Sequence, residues 1–486
     1  MKKKLFNGLI VFLILSTSLF SCKKESPTRP IEKPERTLTT EDLLKDSVYM
    51  YTDYFYLWQD QLPPFGSLKP ENYKTAEQVL EALKSYAKDL NGQPLDRFSF
   101  LDRTGAVNES IQEGLSGSFG FDVRYNNETD LFIKLVYPNS PADKAGINRG
   151  WQILEINGNK DLDLAAFDAD NFAFLNRALS APSINLKLKR EDGVETNKQL
   201  LRTNFQIKPI LYDHIYTVGA KKVGYFVFES FVSTEGDGGT DTYVKNDLNQ
   251  LFARFENEGV SEVIVDLRYN GGGAVITAEY MSNMLVPVSA NDKLMYSYEI
   301  NKEMEADGWK DIPDFFTPVN FEKTNALNLN RIYFLVTAGS TASASELLIN
   351  NLNPFIETKL IGEARTYGKP VGYFPWEILN VDLYAVSFKT TNNVGYGDYF
   401  NGMPVDINVG DDVSKDWGNI EEGMLKQALY YAQNGTFLQG STLQAGRKAA
   451  VSVNDSRRLN MKLDQKGNHD MFKLKKVKLP VGVRSY

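Results

Sequence analysis

Apolar runs alternate with helix-like segments through the C-terminal half of the chain, over residues 207–440. The main apolar runs are KVGYFVFESF, VSEVIVDLRYN, RIYFLVTAG and TKLIGEA. Between them lie YVKNDLNQLFARFENEG, AVITAEYMSNML and SELLINNL. Strands that are apolar along their whole length are typical of sheets covered by helices on both faces. The pattern therefore predicts an α/β domain over 207–440.

A strand-rich region precedes it, over residues 109–206. LSGSFGFDVRY and LFIKLVY are followed by the turn PNSPADKAGI, by GWQILEINGN, by a helix-like segment and by SINLKLKR. This order resembles a PDZ domain, a fold that binds an extended peptide along a sheet edge. The resemblance implies that backbone amides of the loop Ser118, Phe119, Gly120 and Phe121 receive the carboxylate of a peptide C-terminus. Trp151 stands where that family usually has an acidic residue.

The N-terminus has the features of an export signal. MKKK is followed by GLIVFLILSTSLF, an apolar run too short for a comfortable membrane span, and then by Cys22, the only cysteine. This resembles a bacterial lipoprotein signal, which implies that residues 1–21 are removed and Cys22 is lipidated. An ordinary secretory signal with an incidental cysteine is the alternative. Residues 22–38, rich in Pro, Lys and Glu, predict a flexible tether. We therefore expect lipid anchoring in a bacterial cell envelope, facing the periplasm or the exterior.

Two further regions complete the multidomain α+β and α/β organisation. Residues 39–108 predict an N-terminal helical region, because AEQVLEALKSYAKDL has apolar residues at helical spacing. Residues 441–486 predict a hairpin, since LNMKL and FKLKKVKL flank the turn-like QKGN. From Arg447 onward the chain has 11 Lys/Arg and 3 Asp/Glu, a net charge of +8, against −16 for the preceding 446 residues. This extension either binds an acidic surface or forms a solvated strand pair. The acidic total argues against nucleic-acid binding.

Two loops that follow apolar strands contain residues suited to catalysis. The glycines of VIVDLRYNGGGAV allow backbone amides to approach a ligand, although a tight strand-to-helix turn explains them equally well. In GSTASASELL, Ser343 or Ser345 would lie at a helix N-terminus, where the amides and the helix dipole stabilise an oxyanion. The same serines, with Glu346, also fit a plain helix cap.

A catalytic serine needs a base, and histidine is scarce. His469 falls in the predicted tail hairpin, and His214 in LYDHIYTV is more typical of a packed or surface position. Lysine is the alternative, because burial favours the neutral amine that accepts a proton. Lys369, in IGEARTYGKPVGY, follows a strand and a glycine, from where its side chain could point into a cleft.

Taken in order, DLRYNGGG, STASASE and GEARTYGK resemble the C-terminal processing peptidases, which are Ser/Lys enzymes with an embedded PDZ domain. The resemblance covers residues 40–435, including LDRFSFLD before the PDZ-like region. It implies that Ser343 is the nucleophile and Lys369 the general base. It also implies an oxyanion hole made by the amides of Ala344 and Gly272, protein or peptide substrates engaged through their C-termini, and no cofactor. With two His and one Cys, the sequence predicts no metal site.

One departure from that family affects the lysine. The family commonly has a glutamine four residues after it, and this chain has Tyr373 there. Tyr373 is therefore the candidate for orienting Lys369. Three alternatives to an active Ser/Lys peptidase remain: a peptide-binding envelope lipoprotein without turnover, a serine hydrolase with His214 as base, and a carbohydrate-binding envelope protein rich in aromatic residues.

Overall fold

The computed structural model describes residues 38–312, 315–439 and 470–472. The N-terminal region is mainly helical, as predicted, but it also contributes a strand to a sheet with the C-terminal part of the chain. Its elements are α1 Thr40–Phe55, α2 Phe65–Leu68, α3 Ala76–Lys84, β1 Phe100–Asp102 and α4 Ala106–Ile111, with short 3₁₀ turns at Gln59–Gln61 and Pro70–Asn72. Glu41 and Asp42 lie in the first turn of α1, where acidic side chains interact favourably with the helix dipole.

The next region is a small sheet flanked by short helices. Its elements are β2 Leu115–Ser118, β3 Phe121–Tyr125, β4 Leu131–Val136, α5 Pro141–Lys144, β5 Gln152–Ile156, α6 Leu164–Ala169, α7 Ala173–Ser180, β6 Ser183–Lys189, β7 Glu195–Leu201 and β8 Thr203–Gln206. Five strands pair in the order β3-β4-β5-β6-β7, while β2 pairs with β8. In β6, Ile184, Leu186 and Leu188 are buried on one face and the residues between them are more exposed, the alternation of a half-buried strand.

The rest of the described chain is the α/β core. Its elements are β9 Ile210–Val218, β10 Lys221–Phe228, α8 Tyr243–Asn257, β11 Val260–Asp266, β12 Gly272–Ala274, α9 Val275–Leu285, β13 Leu294–Glu299, α10 Lys302–Ala306, β14 Val319–Asn320, β15 Arg331–Val336, α11 Ala344–Leu352, β16 Glu357–Gly362, β17 Val371–Tyr373, β18 Trp376–Ile378, β19 Val381–Tyr384, β20 Val386–Asn392, β21 Ile407–Asn408, α12 Gly423–Asn434 and β22 Asp470–Phe472. Single 3₁₀ turns lie at Asp237–Gly239, Val288–Ala290 and Trp309–Asp311.

A six-stranded sheet forms the centre of this core, in the order β21-β16-β15-β11-β10-β9. The strands from β21 to β10 run parallel, and β9 is antiparallel at the edge. The middle strands β11 and β15 are almost wholly inaccessible to solvent, because hydrophobic clusters cover both faces. The predicted fold class, an N-terminal helical region, a PDZ-like domain and an α/β core, is confirmed.

A second six-stranded sheet has the order β12-β22-β17-β20-β13-β14. Strand β22 comes from the C-terminal extension and lies between β12 and β17. It pairs in parallel with β12 over Gly272–Asp470, Gly273–Met471 and Ala274–Phe472, and with β17 at Tyr373–Phe472. The sequence did not predict this pairing, and the rest of the predicted hairpin over 441–486 lies outside the described residues.

The predicted signal over 1–21, Cys22 and the tether through residue 37 also lie outside the described residues. Within the described ranges, no helix is both long and apolar enough to cross a membrane.

Candidate active site

Two loops meet at one edge of the central sheet, after β11 and after β15. These strands are parallel neighbours, so both chains leave the sheet at their carboxyl ends on the same side. Thr341 Oγ1 donates a hydrogen bond to Leu267 O at 2.8 Å, and Ala342 N donates to Asn270 O at 3.2 Å. The GSTASAS loop is therefore fastened to the DLRYNGGG loop along its length.

The hydroxyls of the GSTASAS loop differ in what they contact. Thr341 holds the neighbouring loop, and Ser345 Oγ donates to Asn270 O at 3.1 Å. Ser343 Oγ is buried and has no hydrogen-bond partner among the described residues. Buried polar atoms nearly always have a hydrogen-bond partner, so a buried hydroxyl without one indicates a role other than stabilising the fold. Of the two serines left open by the sequence, Ser343 is thus the one available for chemistry.

Ser343 also has an unusual backbone conformation. It immediately precedes α11 with φ 60° and ψ −109°, a region that residues with a Cβ rarely adopt. Such a conformation costs about 1–3 kcal/mol and persists only where surrounding contacts impose it. Ala344 is the first residue of α11, and its N–H, like every amide in a first helical turn, has no acceptor within the helix.

The buried carboxylate of Glu346 connects the serine loop to the lysine loop. Oε2 accepts hydrogen bonds from Ser343 N at 2.9 Å and from Lys369 N at 2.8 Å. Oε1 accepts from Gly368 N at 2.7 Å and from the Thr366 hydroxyl. Burial raises the pKa of Glu346 above its usual range, and the four hydrogen bonds oppose that effect. The backbones of Ser343 and Lys369 are thereby held on the same oxygen.

Lys369 is fully buried, and its amine is held by Tyr373. Lys369 Nζ lies 2.6 Å from Tyr373 Oη, which in turn donates to Phe98 O at 2.8 Å. Because the tyrosine proton is committed to Phe98, its lone pairs are left to accept from the amine. This is the contact that the orienting role predicted for Tyr373 requires.

Gly368 sets the path of the lysine loop. Its φ is 95°, and a Cβ there would lie 2.4 Å from Phe400 O, so a side chain is excluded. Arg97 donates to the carbonyls of Tyr367 at 2.9 Å and Gly368 at 3.1 Å. Arg97 and Phe98, both from LDRFSFLD, thus make the N-terminal region part of the site.

The glycine turn lies beside the serine loop, but its amides are partly occupied. Gly272 N donates to Asn270 Oδ1 at 2.8 Å, and Asn270 Nδ2 donates to Phe228 O at 2.9 Å. Gly272 must therefore exchange or share this bond in order to bind an oxyanion. The asparagine was not singled out from the sequence, where it appears only as part of the glycine turn.

The Asp411 carboxylate forms ion pairs with three buried guanidinium groups, one of which precedes the glycine turn. Its carboxylate lies 2.8 Å from Arg268, 2.9 Å from Arg149 and 3.2 Å from Arg124. Arg268 precedes the glycines, whereas Arg124 lies in β3 and Arg149 just before β5. The three charges hold the pKa of Asp411 well below its usual range, despite the opposing effect of burial. The small β3–β7 sheet and the glycine loop thus share one counter-ion.

His214 lies away from these loops. It is exposed on β9, the edge strand of the central sheet, with its ring centroid 4.6 Å from that of Tyr216. Strands β10 and β11 separate β9 from β15, which leads to Ser343. This placement does not support His214 as the base of Ser343. His469 lies outside the described residues.

The SFGF loop connects β2 to β3, and β3 is an edge strand of its sheet. Gly120 has φ 79°, and a Cβ there would overlap Ser140, so the loop needs glycine. Gly120 N donates to Ser118 Oγ at 3.1 Å, and the Phe119 and Phe121 side chains are buried. An extended peptide could pair with the outer edge of β3 beside this loop.

No group of three or more His, Cys, Asp or Glu side chains suited to a metal ion occurs in the part of the chain that the structure describes.

Two family descriptions match this chain. Residues 222–406 match peptidase family S41, and residues 109–173 match the PDZ domain. The chain is 26% identical over 373 residues to carboxyl-terminal-processing peptidase 3 of Arabidopsis thaliana chloroplasts, covering 73% of this chain and 64% of that protein. It is 24% identical over 383 residues to the carboxyl-terminal-processing protease of Picosynechococcus sp. PCC 7002, covering 76% of this chain and 81% of that protein.

A solved structure shares the fold. A putative S41 protease from Bacteroides fragilis superposes with a TM-score of 0.61 at 25% identity, covering 81% of this chain and 98% of that one. The matched S41 segment contains both loops of the site, and the matched PDZ segment contains the SFGF loop. The chain therefore contains a peptidase S41 domain preceded by a PDZ domain, and it is similar to carboxyl-terminal processing proteases.

Proposed function

We propose that this protein is a serine endopeptidase with a Ser343/Lys369 dyad. The observation that carries the proposal is the unpaired, buried hydroxyl of Ser343, tied through Glu346 to the loop of a buried lysine. Ser343 Oγ attacks the scissile carbonyl while the neutral amine of Lys369 takes its proton. Full burial of Lys369 favours that neutral form. The amine then protonates the leaving nitrogen and activates the water that hydrolyses the acyl-enzyme.

The Ala344 N–H would donate to the oxyanion from the start of α11, where the helix dipole adds to the stabilisation. Gly272 N–H would be the second donor, exchanging Asn270 Oδ1 for the oxyanion when substrate binds. Tyr373 would fix the amine so that its lone pair points to Ser343 rather than into the protein. No cofactor takes part in these steps.

The test combines a fluorophosphonate serine probe with peptide hydrolysis. Ser343→Ala should abolish labelling and turnover, while Ser345→Ala, the matched control, should retain labelling. Lys369→Arg should be inactive because a guanidinium stays protonated and cannot accept the proton. His214→Ala should keep most of the activity. An active Lys369→Ala protein, or full labelling of Ser343→Ala, would overturn the dyad.

We further propose that substrates are proteins or peptides whose C-termini bind along β3 at the SFGF loop. The edge position of β3 supports main-chain pairing with an extended peptide. A peptide with an apolar C-terminal residue should bind more weakly after amidation. Equal affinity of the acid and the amide would refute the carboxylate pocket.

The cellular setting that we propose is a bacterial envelope, with the protein anchored through lipidated Cys22. The support is the LFSC sequence after a short apolar run. Cys22→Ser should leave the precursor unprocessed or move the protein out of the membrane fraction; unchanged processing and fractionation would contradict the anchor. A peptide-binding lipoprotein without turnover is the alternative, and probe labelling of Ser343 distinguishes the two.

A further inference from the structure

In the second sheet, a gap one strand wide separates β12 from β17. The segment Asp470–Phe472 of the C-terminal extension, strand β22, occupies this gap. Among the described strands of the second sheet, β12 and β17 are joined only through β22. One edge of β12 is already taken, because Gly272 O accepts from Phe231 N at 2.9 Å and Ala274 N donates to Phe231 O at 2.7 Å. Since successive residues of a strand point their peptide groups to opposite edges, Gly273 faces the gap. The open edge of β12 is thus a template for one extended chain.

The two strands that border this gap, β12 and β17, are each connected to one residue of the candidate dyad. Gly272, in β12, follows the Asn270 turn that is bonded to Ala342 and Ser345 on either side of Ser343. Tyr373, in β17, contacts the amine of Lys369. A chain lying between these two strands therefore runs past the nucleophile and the base.

We propose that this gap binds the main chain of a substrate as a strand parallel to β12, and that the tail segment Asp470–Phe472 is its resident competitor. The proposal rests on the function proposed above and adds both a substrate polarity and a regulatory device. Pairing through the backbone suits an enzyme that accepts varied sequences, because the ladder uses atoms common to every residue.

The charges of the chain favour the tail as occupant. From Arg447 onward the net charge is +8, whereas the preceding 446 residues carry −16. Opposite charges on one chain attract the tail to the remainder of the protein. A covalently linked segment also competes at an effective concentration that reaches the millimolar range for short linkers. A free substrate must displace it.

A disulfide trap tests occupancy without relying on activity. In full-length Cys22→Ser, Ser343→Ala protein, Ala274→Cys and Phe472→Cys place thiols on paired residues of the parallel ladder. Mild oxidation should convert most of the protein to a species of altered mobility on a non-reducing gel. The matched control pairs Ala274→Cys with Asp470→Cys, two residues out of register, and should give at least about fivefold less cross-link, since disulfides need Cα atoms roughly 4.4–6.8 Å apart. Equal cross-linking of both pairs would overturn the docking.

Steady-state kinetics test competition. Met471→Pro removes a backbone donor from β22, and Ser452→Pro is its control elsewhere in the tail. Met471→Pro should lower KM about fivefold or more at unchanged kcat, because an intramolecular competitor raises KM by reducing the fraction of open sites. A synthetic peptide of residues 465–477 should inhibit that variant competitively, and a scrambled peptide should not.

The outcomes separate the two proposals. If wild type and Met471→Pro both lack turnover and probe labelling, the protease function fails while the disulfide trap still reports occupancy. If Met471→Pro folds with lower kcat and no fall in KM, β22 is a structural strand and the resident-competitor proposal is wrong.

Discussion

At the residue scale, hydrogen-bond contacts distinguish the roles proposed for a few side chains of the site. Ser343 and Ser345 are two residues apart in one sequence run, yet only Ser345 hydrogen-bonds the neighbouring loop. Tyr373 occupies the place predicted for an orienting residue, in contact with the lysine amine. These assignments rest on hydrogen-bond partners, which a sequence pattern does not contain.

Tyr373→Phe tests the hydroxyl directly. Without it, Lys369 Nζ loses its 2.6 Å contact. In the proposed mechanism the amine would then be less well directed toward Ser343. We expect kcat to fall about tenfold, equivalent to about 1.4 kcal/mol in the barrier, with little change in KM. The measurement is steady-state peptide hydrolysis, with Tyr384→Phe as a control on a nearby ring whose centroid is 6.0 Å away. Undiminished turnover would remove Tyr373 from the mechanism.

At the element scale, helix α11 positions Ser343 through its own first turn. Glu346 was visible in the sequence only as part of a possible helix cap. The structure shows that it caps Ser343 and also accepts two backbone N–H groups from the loop of Lys369. That second function could not be predicted, because it requires knowing which distant loop returns to this helix.

Glu346→Gln should uncouple the two loops. A glutamine side chain has one acceptor oxygen, so two of the four donors would face its NH₂ group. Each unsatisfied buried donor costs about 1–3 kcal/mol, and we expect a lower midpoint of thermal unfolding together with at least tenfold lower kcat. Glu421→Gln, at an exposed position, is the control. Native stability and turnover in Glu346→Gln would contradict this role.

Protonation of the Glu346 carboxylate should reduce activity at acid pH. Burial raises the pKa of Glu346, so its accepting, ionised form is lost at a higher pH than for an ordinary glutamate. Activity should therefore fall on the acid side before most carboxylates protonate. A pH profile of kcat for the wild type checks this expectation. Loss of activity only at pH values below the usual glutamate range would argue against it.

At the scale of the whole molecule, the order of regions could be predicted, but their connections could not. Continuous apolar strands predicted the α/β core, and the turn and strand order predicted the PDZ-like sheet. The pairing of β1 with β19, the insertion of β22 and the convergence of three arginines on Asp411 join segments that are far apart in sequence. Local patterns carry no information on such pairs.

Asp411→Asn should loosen the connection between the PDZ domain and the glycine turn. Removing the charge breaks the buried ion pair with Arg149, whereas Arg268 also pairs with Asp266 and Arg124 with Glu363. Breaking one buried pair costs about 3–5 kcal/mol. We expect a lower unfolding midpoint and faster proteolysis near the PDZ boundary at pH 7. Asp412→Asn, next to it in the chain, is the control. An unchanged midpoint would show that the three guanidinium groups do not depend on Asp411.

The contribution of Asp411 to the free energy of unfolding should also depend on pH. Because the folded-state pKa of Asp411 is lowered, its contribution is present above the unfolded aspartate pKa of about 3.9 and is lost as pH falls below it. The stability difference between wild type and Asp411→Asn should therefore be largest near neutral pH and shrink in acid. Denaturant titrations at pH 7 and in strong acid would measure it.

The positive φ of Ser343 means that the residue proposed for catalysis lowers the stability of the folded protein. Glycine adopts φ near 60° without penalty, so replacing Ser343 by glycine relieves the backbone strain at this position. Ser343→Gly should therefore be inactive and yet about 1 kcal/mol more stable than Ser343→Ala, which keeps its Cβ. Stability alone would favour glycine at this position, so the proposed turnover is the property for which serine has the advantage.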